Sequence, residues 1–169
     1  MELWDAYDRN GALTGVDLVR GQKIPEGLFH LVVEVLVRHV DGTFLLMHRD
    51  YSKPNCPGLF EPGAGGSAIK GEEPQAAAVR ELFEETGIRA RREDLKPLYH
   101  VVREETHAIY FGYLLETDIP KDSIVLQEGE TIGFRWVDAQ EFKAAFDAPW
   151  FVPLMKPRCE AYLKTLERK

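Results

Sequence analysis

An α+β fold is what this chain predicts, and three observations carry it. Residues 29–40 (FHLVVEVLVRHV) are β-branched and apolar enough for a central strand; Asp41-Gly42 is a hairpin turn, and residues 44–48 (FLLMH) return as the partner. Residues 74–86 place apolar and acidic residues at helical period. Strand-like and helix-like segments then interleave along the rest of the chain, with no internal repeat and no low-complexity tract.

From the N-terminus, residues 2–7 alternate weakly and end in Asp8-Arg9-Asn10-Gly11, so residues 1–28 read as a hairpin extension. Ile24-Pro25-Glu26-Gly27 is a loop. Residues 50–58 (DYSKPNCPG) form another, by their Pro, Asn, Ser and Gly content. Residues 59–66 (LFEPGAGG) are glycine-rich and are expected to line a site. Gly71-Glu72-Glu73-Pro74 opens the helix with proline in its first turn, and Gly87 closes it. At about 100° per residue, Ala76, Val79, Leu82 and Phe83 share the arc expected to dock, while Glu81, Glu84 and Glu85 lie opposite with Ala77 among them. Strands are predicted over 99–103, 108–115 and 131–137. Asp138 caps a helix over 138–146, and 151–166 reads as a terminal helix.

The 169 residues are 44% hydrophobic and 29% charged, which fits one domain over 1–169 with a full core. A net charge of −7 offers no basic face to polymeric nucleic acid. It does not exclude an anionic substrate if a cation bridges the two. Two cysteines without a CxxC pair suggest neither a disulfide framework nor a zinc cluster, so a reducing cytoplasm is the default expectation. MELWDAYDRN is polar and unlike a signal peptide, and no apolar run reaches the roughly 18 residues of a membrane span.

The segment Arg80 to Gly87 (RELFEETG) poses a physical problem. Glu81, Glu84 and Glu85 crowd one face near the negative end of the helix dipole. Acids there cost about 0.3–1 kcal/mol each, and like charges at i,i+4 cost about 0.2–0.5 kcal/mol more. Glutamates on a helix usually form a solvated face, but this one has no lysine and only Arg80 as a positive neighbour.

Written out, the chain has Gly66, five residues, Glu72, seven residues, Arg80-Glu81-Leu82, one residue, Glu84-Glu85, one residue, then Gly87-Ile88. This resembles the Nudix box at every specified position, and the order of elements around it resembles the Nudix fold, a mixed β-sheet sandwiched between α-helices. The resemblance implies Mg²⁺-dependent hydrolysis, with Mn²⁺ as a substitute, of a pyrophosphate link in a small nucleoside diphosphate derivative. It implies Glu81, Glu84 and Glu85 as metal ligands, joined by the backbone carbonyl of Gly65. A bound cation would also remove the charge cost of the acidic face. Arg80 and Glu72 are implied as a salt bridge that orients the ligands. The base that takes the water proton is left open between Glu81 and Glu130, in the acidic loop Glu128-Gly129-Glu130. Arg49 and Lys70 are candidate phosphate contacts and Phe60 a candidate stacking surface; a homodimer is left open.

Two other readings compete. Residues 29–35, with Glu2-Leu3-Trp4-Asp5 and Tyr7-Asp8, resemble the branch related to isopentenyl diphosphate isomerase. Those isomerases bind metal through histidines; His30 fits one position, and Lys23 stands where another would be. Their chemistry also uses a cysteine before the box, and residues 61–67 (EPGAGGS) contain neither cysteine nor histidine. The third reading is a ligand-sensing module without turnover, which an intact box argues against. Ala64 stands where many hydrolases of the family have proline, and a coenzyme-A-type motif is not matched after Arg49. Cys56 and His107 read as loop residues without a catalytic neighbour.

Overall fold

The structure, a computed structural model, describes residues 1–166. The N-terminal segment folds as expected into a hairpin of β1 (Leu3–Tyr7) and β2 (Leu13–Val19). Its turn is fixed by Asp8, whose Oδ1 accepts from the N–H groups of Asn10 and Ala12. The hairpin buries a small cluster of its own, Trp4, Ala6 and Leu18. It is tied to the body of the protein by Tyr7–Phe29 backbone pairing at 2.8 and 2.9 Å and by the Lys70 N–H donating to the Leu3 carbonyl.

The main sheet has seven strands: β3 (His30–His39), β4 (Phe44–Arg49), β5 (Phe60–Pro62), β6 (Ala64–Ser67), β7 (Leu95–Arg103), β8 (Ala108–Thr117) and β9 (Thr131–Val137). Strand β3 is central, parallel to β8 and antiparallel to β6. Strand β7 lies at the edge beyond β8, which accommodates Pro97 and the bulge between Pro97 and Tyr99.

One expectation is corrected here. The β3–β4 hairpin pairs only at Arg38 and Phe44, because β6 occupies the edge of β3 beyond that point and β4 turns to β5 and β9. The glycine-rich stretch forms the two short strands β5 and β6. Gly63 between them has φ 65°, and a Cβ there would overlap the Val35 carbonyl. Absence of side chains is what lets this segment lie against β3.

Helix α1 (Pro74–Thr86) has the expected bounds, with Gly87 at φ 74° donating to the Phe83 carbonyl at 2.8 Å. It covers one sheet face over Val33, Val35, Leu45 and Met47. Helices α2 (Ala139–Ala145) and α3 (Met155–Thr165) cover the other, over Leu36, Phe44 and Leu46. The mixed sheet is thus sandwiched between helices. Asp138 caps α2 through the N–H groups of Gln140 and Glu141. Helix α3 begins at Met155 instead of 151, because residues 150–152 pair with Phe60 in an extended bridge. Val152 precedes Pro153, which favours that conformation.

The docked face of α1 also differs from the expected one. Ala77, Ala78, Leu82, Glu85 and Thr86 are buried, whereas Phe83 is exposed beneath the Arg89 guanidinium, 4.4 Å from its ring centre. The buried arc is turned by about 100° from the arc of Ala76, Val79, Leu82 and Phe83. Small alanines meet the glycine backbone of β6, and Glu85 comes to the middle of the interface.

Candidate active site

That rotation builds the site. Glu81 and Glu85 project from α1 toward β6, and Glu84 stands at the rim. Together with Gly65, Gly66 and Ser67 they line a cleft of about 240 Å³. The far side is supplied by Glu2 and Arg20 from the hairpin, Lys53 from the loop after β4, and Gln127 and Glu130 from the loop before β9.

Arg80 organises the near side. Its Nε and Nη2 donate to the two oxygens of Glu72, each at 2.8 Å, a bidentate pair. Nη1 donates to Glu81 at 2.9 Å and Glu84 at 3.0 Å, and Nη2 also to the Ser67 carbonyl at 3.1 Å. The Glu72 bonds hold the guanidinium firmly protonated. Burial pulls the Glu72 carboxyl up, but Arg80 and the Ile69 N–H hold it below the usual range.

Glu85 is in a different state. It is buried, and its Oε2 accepts from the Gly65 N–H at 3.0 Å. Burial, then the nearby charge of Glu61, pushes its carboxyl up to about 8. Burial also raises Glu81, against the pull of Arg80. Glu61 itself is raised by burial, although Arg49 Nη1 donates to it at 2.6 Å. Lys53 is paired with Glu130 on that far side and is lowered, by burial first and by Arg49 second.

A hard divalent cation fits this donor set. The groups are carboxylates, and burial with neighbouring negative charge raises both Glu81 and Glu85. In the arrangement described, no three carboxylate, imidazole or thiol groups converge on one point among the described residues. Arg80 sits between Glu81 and Glu84, and Gly65 meets Glu85 through its N–H. Bringing three carboxylates to one ion takes side-chain rotation, for which the exposed Glu84 has room.

Glu72, Arg80, Glu81, Glu84, Glu85, Gly65 and Glu130 are therefore brought together, whereas Arg49, Phe60 and Lys70 are not among the cleft-lining residues. Arg49 is spent on Glu61 and on the carbonyls of Asn55 and Cys56. Phe60 stacks on His48 at 4.4 Å and under Arg135 at 4.6 Å, on the sheet face covered by α2 and α3. Lys70 pairs with Asp17 at 2.6 Å and ties the hairpin down. Sequence reasoning missed Glu61, Lys53, Glu2 and Arg20. For Glu61 a signal existed: it is the acid inside the glycine-rich stretch, and strand alternation there puts it opposite in face to Phe60.

His30 does not form an open metal position. Its ring is buried and stacked on Trp4 at 4.3 Å, and Nδ1 finds no hydrogen-bond partner among the described residues. Burial lowers it to about 4.

A sheet between helices with an acidic cleft at the end of the box helix defines the class of protein, and similarity to known proteins gives the family. The NUDIX domain family matches residues 28–156. The chain is 33% identical over 153 residues to an uncharacterized Nudix hydrolase of Listeria monocytogenes, covering 90% of this chain and 89% of that one. The chain belongs to the Nudix family and is a hydrolase of it. A shorter match, 31% identical over 86 residues, links it to an isopentenyl-diphosphate Delta-isomerase of Streptomyces coelicolor, covering 51% of this chain and 44% of that one. Among solved structures, DR0079 from Deinococcus radiodurans shares the fold, with a TM-score of 0.74 and 18% identity over 99% of this chain and 98% of that one. A MutT protein of Methanosarcina mazei shares it at a TM-score of 0.61 and 20% identity, over 83% and 94%.

Proposed function

We propose that this chain hydrolyses the pyrophosphate bond of a small nucleoside diphosphate derivative, with a divalent cation, Mg²⁺ or Mn²⁺, held by Glu81, Glu84 and Glu85. The observation that carries the proposal is geometric: the buried Glu85 carboxyl lines one cleft with Glu81 and Glu84, on the box helix of a chain that matches the NUDIX domain over residues 28–156. Such a cluster is costly unless a cation joins it. A bound cation would neutralise phosphate oxygens and lower the pKa of a coordinated water.

The chain's own residues do the remaining work. Arg80, anchored on Glu72 and Ser67, fixes the directions of Glu81 and Glu84. The Gly65 N–H fixes Glu85. Glu130 faces them from the opposite wall and is taken as the proton acceptor, with Glu81 left to the cation; both carboxylates are paired in the structure, Glu81 with Arg80 and Glu130 with Lys53. Water attack on one phosphorus breaks the bridging P–O bond, and the water proton passes to Glu130. Lys53 and Arg20 are the cations on the substrate side of the cleft. On this reading the hairpin belongs to the same catalytic unit as the rest of the domain.

The isomerase reading is the weaker one. His30 is locked under Trp4, and the strands before the box helix carry no thiol. A panel of nucleoside diphosphate sugars, dinucleotides and alcohols, with isopentenyl diphosphate included, assayed with and without Mg²⁺, separates the readings. Metal-dependent release of a nucleoside monophosphate is expected. Isomerisation of isopentenyl diphosphate, or binding of panel members without turnover, would overturn the proposal.

A further inference from the structure

Every cation that lines the cleft already has a carboxylate. Arg80 holds Glu72, Glu81 and Glu84. Arg20 donates to Glu2 at 2.8 Å. Lys53 is paired with Glu130. A diphosphate entering this cleft therefore meets no idle positive charge among the described residues; it must displace a carboxylate from one of the three.

Lys53 is the place where that exchange has most to gain. Arg80 is held by three carboxylates and a carbonyl, so displacement there would dismantle the near wall. Arg20 is exposed, and its pair with Glu2 is screened by water. The Lys53–Glu130 pair is sheltered, with side chains 15% and 27% exposed, so the anion that holds Lys53 gains more than it would in open solvent. The backbone beneath both residues is fixed. The Asp50 N–H donates to the Glu130 carbonyl at 2.8 Å, the Lys53 N–H to the Asp50 carbonyl at 3.2 Å, and the Glu130 N–H to the Gln127 carbonyl at 3.1 Å. The two loops are bonded to each other, so only side chains need move. Lys53 also feels the negative charges of Glu85 and Glu61. It stays in the cleft when Glu130 leaves.

We infer that Glu130 and the substrate diphosphate compete for Lys53, so that substrate binding itself releases Glu130 from its ion pair and makes the carboxylate available to the attacking water. Before substrate arrives, Glu130 is tied to an ammonium and is a poor base. Once a phosphate oxygen takes the ammonium, Glu130 is left unpaired near the same phosphate. The reaction's proton acceptor is then uncovered only in the complex. The second half of this exchange rests on the hydrolase reading above; the competition for Lys53 does not.

The test measures binding alone, by calorimetric titration of methylenediphosphonate, the P–C–P analogue of the linkage, in Mg²⁺ buffer. Glu130→Gln is expected to bind it about fivefold more tightly than wild type, the factor that follows from about 1 kcal/mol. Lys53→Met is expected to bind it more weakly. In Lys53→Met/Glu130→Gln the gain from removing Glu130 should shrink to twofold or less, since only general charge relief remains. Opposite signs for the two single variants, with loss of the gain in the double, support exchange. Weaker binding by Glu130→Gln, or an equal gain with and without Lys53, overturns it. Because no turnover is read, this outcome is independent of whether the substrate panel reveals hydrolysis.

Discussion

The Glu81 carboxylate lies against the backbone of Gly66, in the volume that a Cβ at residue 66 would occupy. The box glycine is therefore a spatial requirement of the box glutamate: strand β6 must be bare at that point for α1 to bring a carboxylate down onto it. Gly66→Ala should displace Glu81 from its bond to Arg80 while leaving the helix in place. Turnover is expected to fall by at least about tenfold, with a loss of stability within about 1 kcal/mol, because a flexible side chain yields before backbone does. Parallel steady-state kinetics and urea melts decide it; a loss of several kcal/mol with turnover intact would reverse the assignment.

The bounds of α1 were legible because Pro74 and Gly87 punctuate it chemically, and the box was legible because its spacing is local to one helix. What the helix docks against is not local. The arc with the larger side chains was expected to be buried, yet Phe83 is exposed and Glu85 is not, since glycine strand β6 prefers the alanine side. Glu61 enters through the β4–β5 register, opposite Met47, and Lys53 through a loop whose path is set by bonds to the strand end at Glu130. Neither relation exists in any short window of sequence. Phe60 and Arg49 went astray for the same reason. Each is near the site in sequence, but the faces of β4 and β5 that they occupy were not known.

Charge removal on the box face should separate the buried acids from their neighbours. Glu81→Gln and Glu85→Gln are each expected to lower turnover by at least about two orders of magnitude, the range for loss of a metal ligand or base. Glu73→Gln should change little. It occupies the N-cap position without any side-chain capping bond and is exposed. Equal losses in all three would mean that general acidity, not position on the helix, governs the activity.

His30 sets a pH dependence that can be read apart from catalysis. Its folded pKa of about 4 lies below the ordinary histidine value of 6.5, because burial beside Trp4 and the charge of His107 disfavour the imidazolium. Well above pH 6.5 the ring is neutral in both states and contributes no pH dependence. As pH falls from 6.5 toward 4, the unfolded chain takes up a proton that the folded chain refuses, so stability drops by about 3 kcal/mol at most. His30→Phe keeps an aromatic ring against Trp4 and cannot titrate. The difference in urea stability between wild type and His30→Phe should be flat well above pH 6.5 and shift steadily against wild type below it. A difference independent of pH from 7 to 4.5 would mean that the ring protonates without hindrance.

Arg80 and the cation should share carboxylates, which gives a thermodynamic test of the metal site that needs no substrate. Among the described residues Arg80 is the cation paired with Glu81 and Glu84, and it also holds Glu72. Arg80→Gln removes that charge and leaves the half-buried Glu72 and Glu81 and the exposed Glu84 facing one another. Without metal the variant should lose about 1–3 kcal/mol. Mg²⁺ in excess should stabilise wild type by mass action, about 2.7 kcal/mol at a hundredfold excess over Kd. It should stabilise Arg80→Gln by more, because the cation then takes over carboxylates that have no other partner. Glu85→Gln should reduce the Mg²⁺ effect in both backgrounds, since it removes a ligand that Arg80 does not touch. Thermal melts in EDTA and in excess Mg²⁺ across these variants provide the comparison. If Mg²⁺ raises the melting temperature of wild type and Arg80→Gln equally, the cation and the guanidinium do not meet on Glu81 and Glu84, and the ligand set must be sought elsewhere in the cleft.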